Sequence, residues 1–152
     1  MRRAAVVTVI LVLAGISAGC GGGGGGGGRL TRQELASRAD RICAEADRKS
    51  DALGNPTTPE ELAKWADDVG EIGDDFLADM RALSPPEDLQ DDFDAYVDGL
   101  EEQLDRVAEI GDAADERDSA RIRELVQESV DAEEETDRLA RRFGANECAE
   151  DD

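Results

Sequence analysis

The chain has 152 residues, 38 of them acidic and 17 basic, with no histidine and only 3% aromatic residues. A formal charge of −21 argues against nucleic acid and anionic lipid surfaces as partners, because both need a positive patch, and the lack of imidazole excludes hydrolytic Ser-His and Cys-His machinery. So few aromatics leave a core of aliphatic side chains and alanine, the composition of a helical bundle rather than a β-sandwich.

Arg2 and Arg3 form a short basic start. Ala4 to Ile16 is an uncharged, mostly apolar run of 13 residues. A membrane span needs about 20 such residues, so the run fits a secretory signal instead. Ser17-Ala18-Gly19 then leads into Cys20. This stretch resembles the lipobox of bacterial lipoproteins, in which diacylglycerol is attached to the cysteine thiol and a dedicated peptidase cuts just before it. Ala18-Gly19-Cys20 matches that pattern, and Ser17 stands where Leu or another aliphatic is usual. The resemblance implies a signal peptide over residues 1–19, lipidation of Cys20, and a place on the outer face of the cell membrane. The residues alone leave two alternatives open: an ordinary signal cut near Ala18 with Cys20 free, and an uncleaved anchor.

Gly21 to Gly28 has no side chain to pack. With Cys20 and Arg29 it makes a flexible tether over residues 20–29, whose glycines have an r.m.s. span of ~16 Å. It is not a phosphate loop, which needs a preceding strand and a Lys-Ser/Thr ending. Removing residues 1–19 leaves 15 basic residues against 38 acidic ones, a mature charge of −23. The remainder, residues 30–152, has the length of one domain.

Three cysteines become an even number if Cys20 carries lipid. Export permits a disulfide, and Cys43–Cys148 is the pairing expected. Two buried free thiols are the alternative. Two cysteines so far apart, with no histidine, do not have zinc-ligand spacing.

Thr31-Arg32-Gln33-Glu34 has the form of a capping box and starts the first helix. Leu35, Ala39, Ile42, Ala46 and Leu53 share one face, and Gly54-Asn55-Pro56 ends it. Thr58-Pro59-Glu60-Glu61 starts the second helix. Its apolar stripe is Leu62, Trp65, Val69, Ile72, Phe76, Leu77, Met80 and Leu83. Gly70 and Gly73 lie inside it, where each costs about 1 kcal/mol against Ala. Close packing at a helix crossing explains them, and a kink beside a ligand cleft is the sharper reading.

Ser84-Pro85-Pro86-Glu87 breaks and restarts the chain. Leu89, Phe93, Tyr96, Val97, Leu100, Leu104, Val107 and Ile110 mark a third helix, expected to fade from Gly111 to Asp118. Ile122, Leu125, Val126, Ser129, Leu139, Ala140 and Phe143 mark the fourth, capped by Asp118 or Ser119. Asp131 to Asp137 is nearly all charged, so the apolar face is weakest there. Gly144 fits the residue after a helix end, and Arg138, Arg141 and Arg142 suit the last turns.

The fold class expected is therefore all-α: an up-down antiparallel four-helix bundle behind a signal peptide and a glycine linker. In that topology the fourth helix ends near the start of the first. The tail from Gly144 to Cys148 spans at most roughly 14 Å. Cys43 lies ~18 Å up the first helix, so the disulfide closes if the fourth helix stops a turn above the floor. The same topology gathers Arg29, Arg32, Arg38 and Arg41 near Arg138, Arg141 and Arg142. From Glu60 to Glu116 the basic residues are Lys64, Arg81 and Arg106, against 21 acids. Headgroup repulsion, effective over ~10 Å, would turn those two acidic helices outward.

No nucleophile–base pair, Walker, Rossmann or G-x-S-x-G pattern is present, and no enzyme activity or cofactor is expected. Asp92-x-Asp94 begins like an EF-hand loop, but Tyr96 and Val97 occupy its fifth and glycine positions. Carboxylates on one helical face, with Asp67, Glu71, Asp74 and Asp75 the foremost candidates, would make a low-selectivity cation site at best. The plainer reading is a solvated face.

The lipobox, the glycine tether, Ala-Asp-Arg-Ile-Cys-Ala-Glu-Ala-Asp around Cys43, Ala-Leu-Ser-Pro-Pro-Glu-Asp-Leu at Ala82 to Leu89, and Arg-Arg-Phe-Gly-Ala-Asn-Glu-Cys-Ala at Arg141 to Ala149 together resemble a group of small actinobacterial envelope lipoproteins of unknown function. The resemblance implies fold, disulfide and location, and carries over no catalytic residue. The function expected is a non-catalytic interaction or accessory module, held at the membrane by its lipid and partnered by an envelope protein. A binding protein for divalent cations, or for a small cationic or apolar ligand near Trp65, Gly70 and Gly73, is the alternative.

Overall fold

The computed structural model describes residues 28–149. The signal peptide, Cys20 and Gly21 to Gly27 fall outside the described residues. Helix α1 spans Arg32–Asp51, α2 Pro59–Arg81, α3 Gln90–Asp115 and α4 Ser119–Phe143. Short 3-10 turns cover Glu87–Leu89, before α3, and Glu147–Ala149, after α4. The arrangement is the expected all-α four-helix bundle, and the described residues contain no strand.

Local sequence sets the helix ends. Thr31 Oγ1 accepts the Glu34 N–H, and the Glu34 carboxylate accepts the Thr31 N–H in return, a complete capping box. Thr58 and Glu61 repeat it at α2, with Pro59 in the first helical turn. These hydrogen bonds hold both carboxyl groups below their ordinary range, through the Thr31 backbone for Glu34 and the Thr57 hydroxyl for Glu61. Asp118 caps α4 by accepting from the Ala120 and Arg121 amides. Gly144 ends α4 at φ +91°, a left-handed conformation that costs glycine nothing.

Helix α3 does not fade at Gly111. It stays helical to Asp115 and turns into α4 through three residues, with Arg117 at φ +58°. The reason is packing: Gly111, Ala113 and Ala114 are buried. A Cβ at Gly111 would stand 2.9 Å from that of Ala66 on α2. Gly73 plays the same part from the other side, since a Cβ there would lie 2.3 Å from a Leu104 methyl. Small residues thus let α2 and α3 approach closely. Gly70 does not share the role, for a Cβ there meets nothing within 4 Å. Gly70→Ala should therefore raise stability in urea by up to about 1 kcal/mol through helix propensity alone. Gly111→Ala gains the same propensity but must move a neighbouring helix, an overpacking cost of about 1–3 kcal/mol. Its net effect should be destabilising, and a more stable Gly111→Ala protein would contradict the close approach.

The core is uneven along the bundle axis. Most of it lies at the base, where α1 begins, α2 turns into α3 and α4 ends. Leu35, Ala39, Met80, Phe93, Tyr96, Ala140 and Phe143 are all nearly or fully buried there. A smaller cluster of Ile110, Ala113 and Leu125 closes the top. Several members of the expected α2 stripe, Leu62, Trp65, Val69, Ile72 and Phe76, are only half-buried, while Ala63, Ala66 and Gly73 take the innermost positions. Side-chain size explains the exchange, since the larger residues flank the tight α2–α3 seam.

The chain entering from the tether is fixed to the base. The Leu30 amide donates to the Ser84 carbonyl at 2.7 Å. Arg29 donates to the Pro85 carbonyl at 2.8 Å and to Gln90 at 2.7 Å, and Arg32 reaches the Arg142 carbonyl at 2.6 Å. Arg142 pairs with Asp92 at 3.1 Å. The arginines at this end are thus partly spent on holding the start of α1 to the α2–α3 turn and the end of α4.

Candidate functional site

The expected disulfide is present. Cys43 and Cys148 are joined, with Cα atoms 5.3 Å apart across a sequence separation of 105. Several contacts bring the tail to α1. Gly144 reverses the chain, and the Ala145 amide donates to the Ala140 carbonyl. The Glu147 amide donates to Asp40 at 3.0 Å, and Arg141 holds the Ala149 carbonyl at 2.7 Å. Cys43 is buried, whereas Cys148 is half-exposed.

The disulfide closes one end of a cleft of about 410 Å³. It opens because α1 buries Leu35, Ala39 and Cys43 but no residue beyond Cys43. The second half of α1 therefore stands away from α4. Across the gap, α4 presents Glu133, Thr136 and Asp137, the charged middle that the sequence marked as its weakest face. Thr136 and Asp137 occupy core-facing positions and are nevertheless buried. Close approach explains Thr136: a Cβ at Gly99 would stand 2.7 Å from its methyl, and Gln103 donates to its hydroxyl at 2.8 Å. Asp137 pairs with Arg141 at 3.4 Å.

Phe76, Tyr96 and Leu100 form the apolar floor of the cleft. Tyr96 is 1% exposed, and its ring stacks edge-on against Phe143 at 5.2 Å. Its hydroxyl has one hydrogen-bond partner among the described residues, the Cys43 sulfur at 3.7 Å. A disulfide sulfur has no proton, so the hydroxyl donates, and to a weak acceptor. Burial, reinforced by the negative charges of Asp137, Asp47 and Asp40, pushes the phenol well above its ordinary pKa.

The sequence placed a ligand cleft elsewhere, beside Trp65, Gly70 and Gly73. Trp65 does line a second, more open concavity of about 400 Å³, with Leu53, Pro56 and Thr57. The two glycines are not among its walls. Asp67, Glu71, Asp74 and Asp75 are all exposed on α2. Among the described residues, no three His, Cys, Asp or Glu side chains stand where they could hold a metal ion. No described helix is long and apolar enough to cross a membrane.

The cleft carboxylates, Asp47, Asp51, Glu133, Asp137 and Glu147, were not singled out by sequence reasoning. One signal existed: Thr136 and Asp137 interrupt the apolar rhythm between Ser129 and Ala140, where a bundle helix should present its core. In comparisons with known proteins, the chain matches no family model, no curated protein and no solved structure.

Proposed function

We propose that this chain is a lipid-anchored extracytoplasmic module that acts by binding and has no catalytic chemistry of its own. The observation that carries the reading is the order of parts: a short apolar leader, Ala18-Gly19-Cys20, a glycine tether, and then a domain with its two remaining cysteines bonded to each other. With Cys43 and Cys148 paired, Cys20 is the one thiol left to modify. A disulfide suits an oxidising compartment outside the cytoplasm. The docking of Arg29 and Leu30 at the base supports a pose in which the tether leaves from one end of the bundle.

The test is to replace the thiol. Cells fed a labelled fatty acid should incorporate the label into the native protein and not into Cys20→Ser. The variant should also move from the membrane fraction to the medium or remain as an unprocessed precursor. An unlabelled native protein that is secreted freely would instead indicate an ordinary signal peptide.

A further inference from the structure

We infer that the solvent face of α1 docks on anionic phospholipid headgroups through Arg38, Arg41 and Arg48, so that the domain lies with α1 against the membrane and α3 turned away from it. The inference rests on the anchoring proposed above, which supplies the surface, and adds which face meets it.

The net charge of −21 speaks against such a contact, but the charge is unevenly spread. Helix α1 carries five basic and five acidic residues, whereas α3 carries one basic residue against ten acidic ones. Helix α1 packs chiefly on α2, and α3 lies diagonally across the bundle. Helix axes pack about 8–10 Å apart, so the outward acids of α3 stand more than a Debye length, about 10 Å at 0.1 M salt, from a surface that touches α1.

Arg38, Arg41 and Arg48 are exposed on the side of α1 opposite the buried Leu35, Ala39 and Cys43. They extend over about 15 Å of the helix. None has an ion pair among the described residues, in a chain with 38 acids for 17 bases. The neighbouring arginines at the base are committed: Arg29 to Pro85 and Gln90, Arg32 to Asp88, and Arg142 to Asp92. The acids beside the three are committed as well. Glu34 is closed into its capping box, and Glu45 pairs with Lys49 at 3.1 Å. Arg38 and Arg41 flank a shallow concavity of about 280 Å³ that Thr31 and Ser37 also line. Ser37 accepts from Arg41 at 3.2 Å through its oxygen and keeps its own proton to donate. Guanidinium forks beside a hydroxyl suit phosphate oxygens.

Position argues for the same partner independently of charge. The chain is fixed to the base at Arg29 and Leu30, immediately before α1. Nine residues link Cys20 to Arg29, a reach of at most about 32 Å. A lipid on Cys20 therefore holds the first turns of α1 near headgroups, at an effective concentration that a free anion or a soluble acidic protein does not reach.

The test is arginine modification by phenylglyoxal, read residue by residue by mass spectrometry. The membrane-extracted protein is placed in vesicles of phosphatidylcholine alone or mixed equally with phosphatidylglycerol. Arg123 is the reference within the molecule: it is exposed near the start of α4, away from the base, and also has no ion pair among the described residues. On the mixed vesicles Arg38, Arg41 and Arg48 should react roughly fivefold more slowly than on phosphatidylcholine, and Arg123 should change by less than about twofold. Salt at about 1 M, where the Debye length is about 3 Å, should remove the difference. Arg41→Gln combined with Arg48→Gln, at an unchanged thermal midpoint, should return Arg38 on mixed vesicles to within about twofold of its rate on phosphatidylcholine. Equal rates on the two kinds of vesicle, or equal slowing of Arg123, would overturn the docking face. So would slowing on phosphatidylcholine alone that grows with protein density, which would assign the face to a second copy of the chain. A free Cys20 thiol in the same digest would refute the lipid anchor and not this face: coupled through that thiol to maleimide headgroups, the chain gives the same comparison.

Discussion

Replacing Cys43 and Cys148 by serine should lower stability by about 4–5 kcal/mol, the chain-entropy value for a loop closed across 105 positions. For a domain of this size that corresponds to a fall in the thermal midpoint of roughly 15–25 °C. The structure predicts where the loss appears first. Beyond Cys43, α1 contributes no fully buried side chain and, although its Ala46 and Lys49 side lies along α2, its α4 side faces an open cleft. The disulfide is the covalent clamp at the point where that weakly packed half begins. Hydrogen exchange after reduction should therefore accelerate in Ala44 to Asp51 before it does in α2 or α3, as expected when a weakly packed segment opens locally. The tail from Ala145 to Ala149 should follow, because among the described residues it is otherwise tied by the Ala145–Ala140, Glu147–Asp40 and Arg141–Ala149 hydrogen bonds and by the small buried side chains of Ala145 and Ala149. Uniform acceleration across all four helices would mean that the clamp acts on the whole bundle and not on α1.

Helix positions were legible in the sequence because their signals are local. Thr31 with Glu34, Thr58 with Pro59 and Glu61, and Gly144 each act within a few residues of themselves, and the structure places a cap or stop at each. The disulfide was legible because up-down topology and cysteine parity leave little choice. What escaped was set by approach between helices. Gly111 looked like the end of α3 because glycine is a poor helix former, yet the nearness of Ala66 makes it an interior position. Gly70 and Gly73 look alike in sequence, and only the position of Leu104 separates them. The cleft was hidden for the same reason. Acidic residues occur throughout the chain, and nothing local distinguishes Asp47 or Glu133, which line a cavity, from Asp67 or Asp74, which do not.

Phe143→Ala should cost about 3–5 kcal/mol, the range for emptying a fully buried aromatic position. Phe143 is 0% exposed and sits at the last turn of α4, where the base core is densest. Its ring meets Phe93 edge-on at 5.6 Å and Tyr96 at 5.2 Å, and each such aromatic pair adds about 0.5–1.5 kcal/mol beyond burial. Backbone relaxation to fill the space is restrained, since Gly144 turns the chain immediately afterwards and Cys148 is bonded to α1. Phe76→Ala is the useful contrast. Phe76 is half-buried beside the cleft, so part of its surface is already in contact with water, and the loss should be clearly smaller. Equal midpoint shifts in urea for the two variants, at unchanged slope, would contradict a core concentrated at the base. Combining Phe143→Ala with reduction of the disulfide raises the stakes. The two losses together approach the whole stability of an ordinary domain, about 5–15 kcal/mol. They also act on neighbouring structure, because Tyr96 touches both Phe143 and the Cys43 sulfur, so their effects should not simply add. Oxidised Phe143→Ala should retain helical circular dichroism without denaturant, and the reduced variant should lose it. Retention of the full signal after reduction would show that the base core holds the bundle without either support.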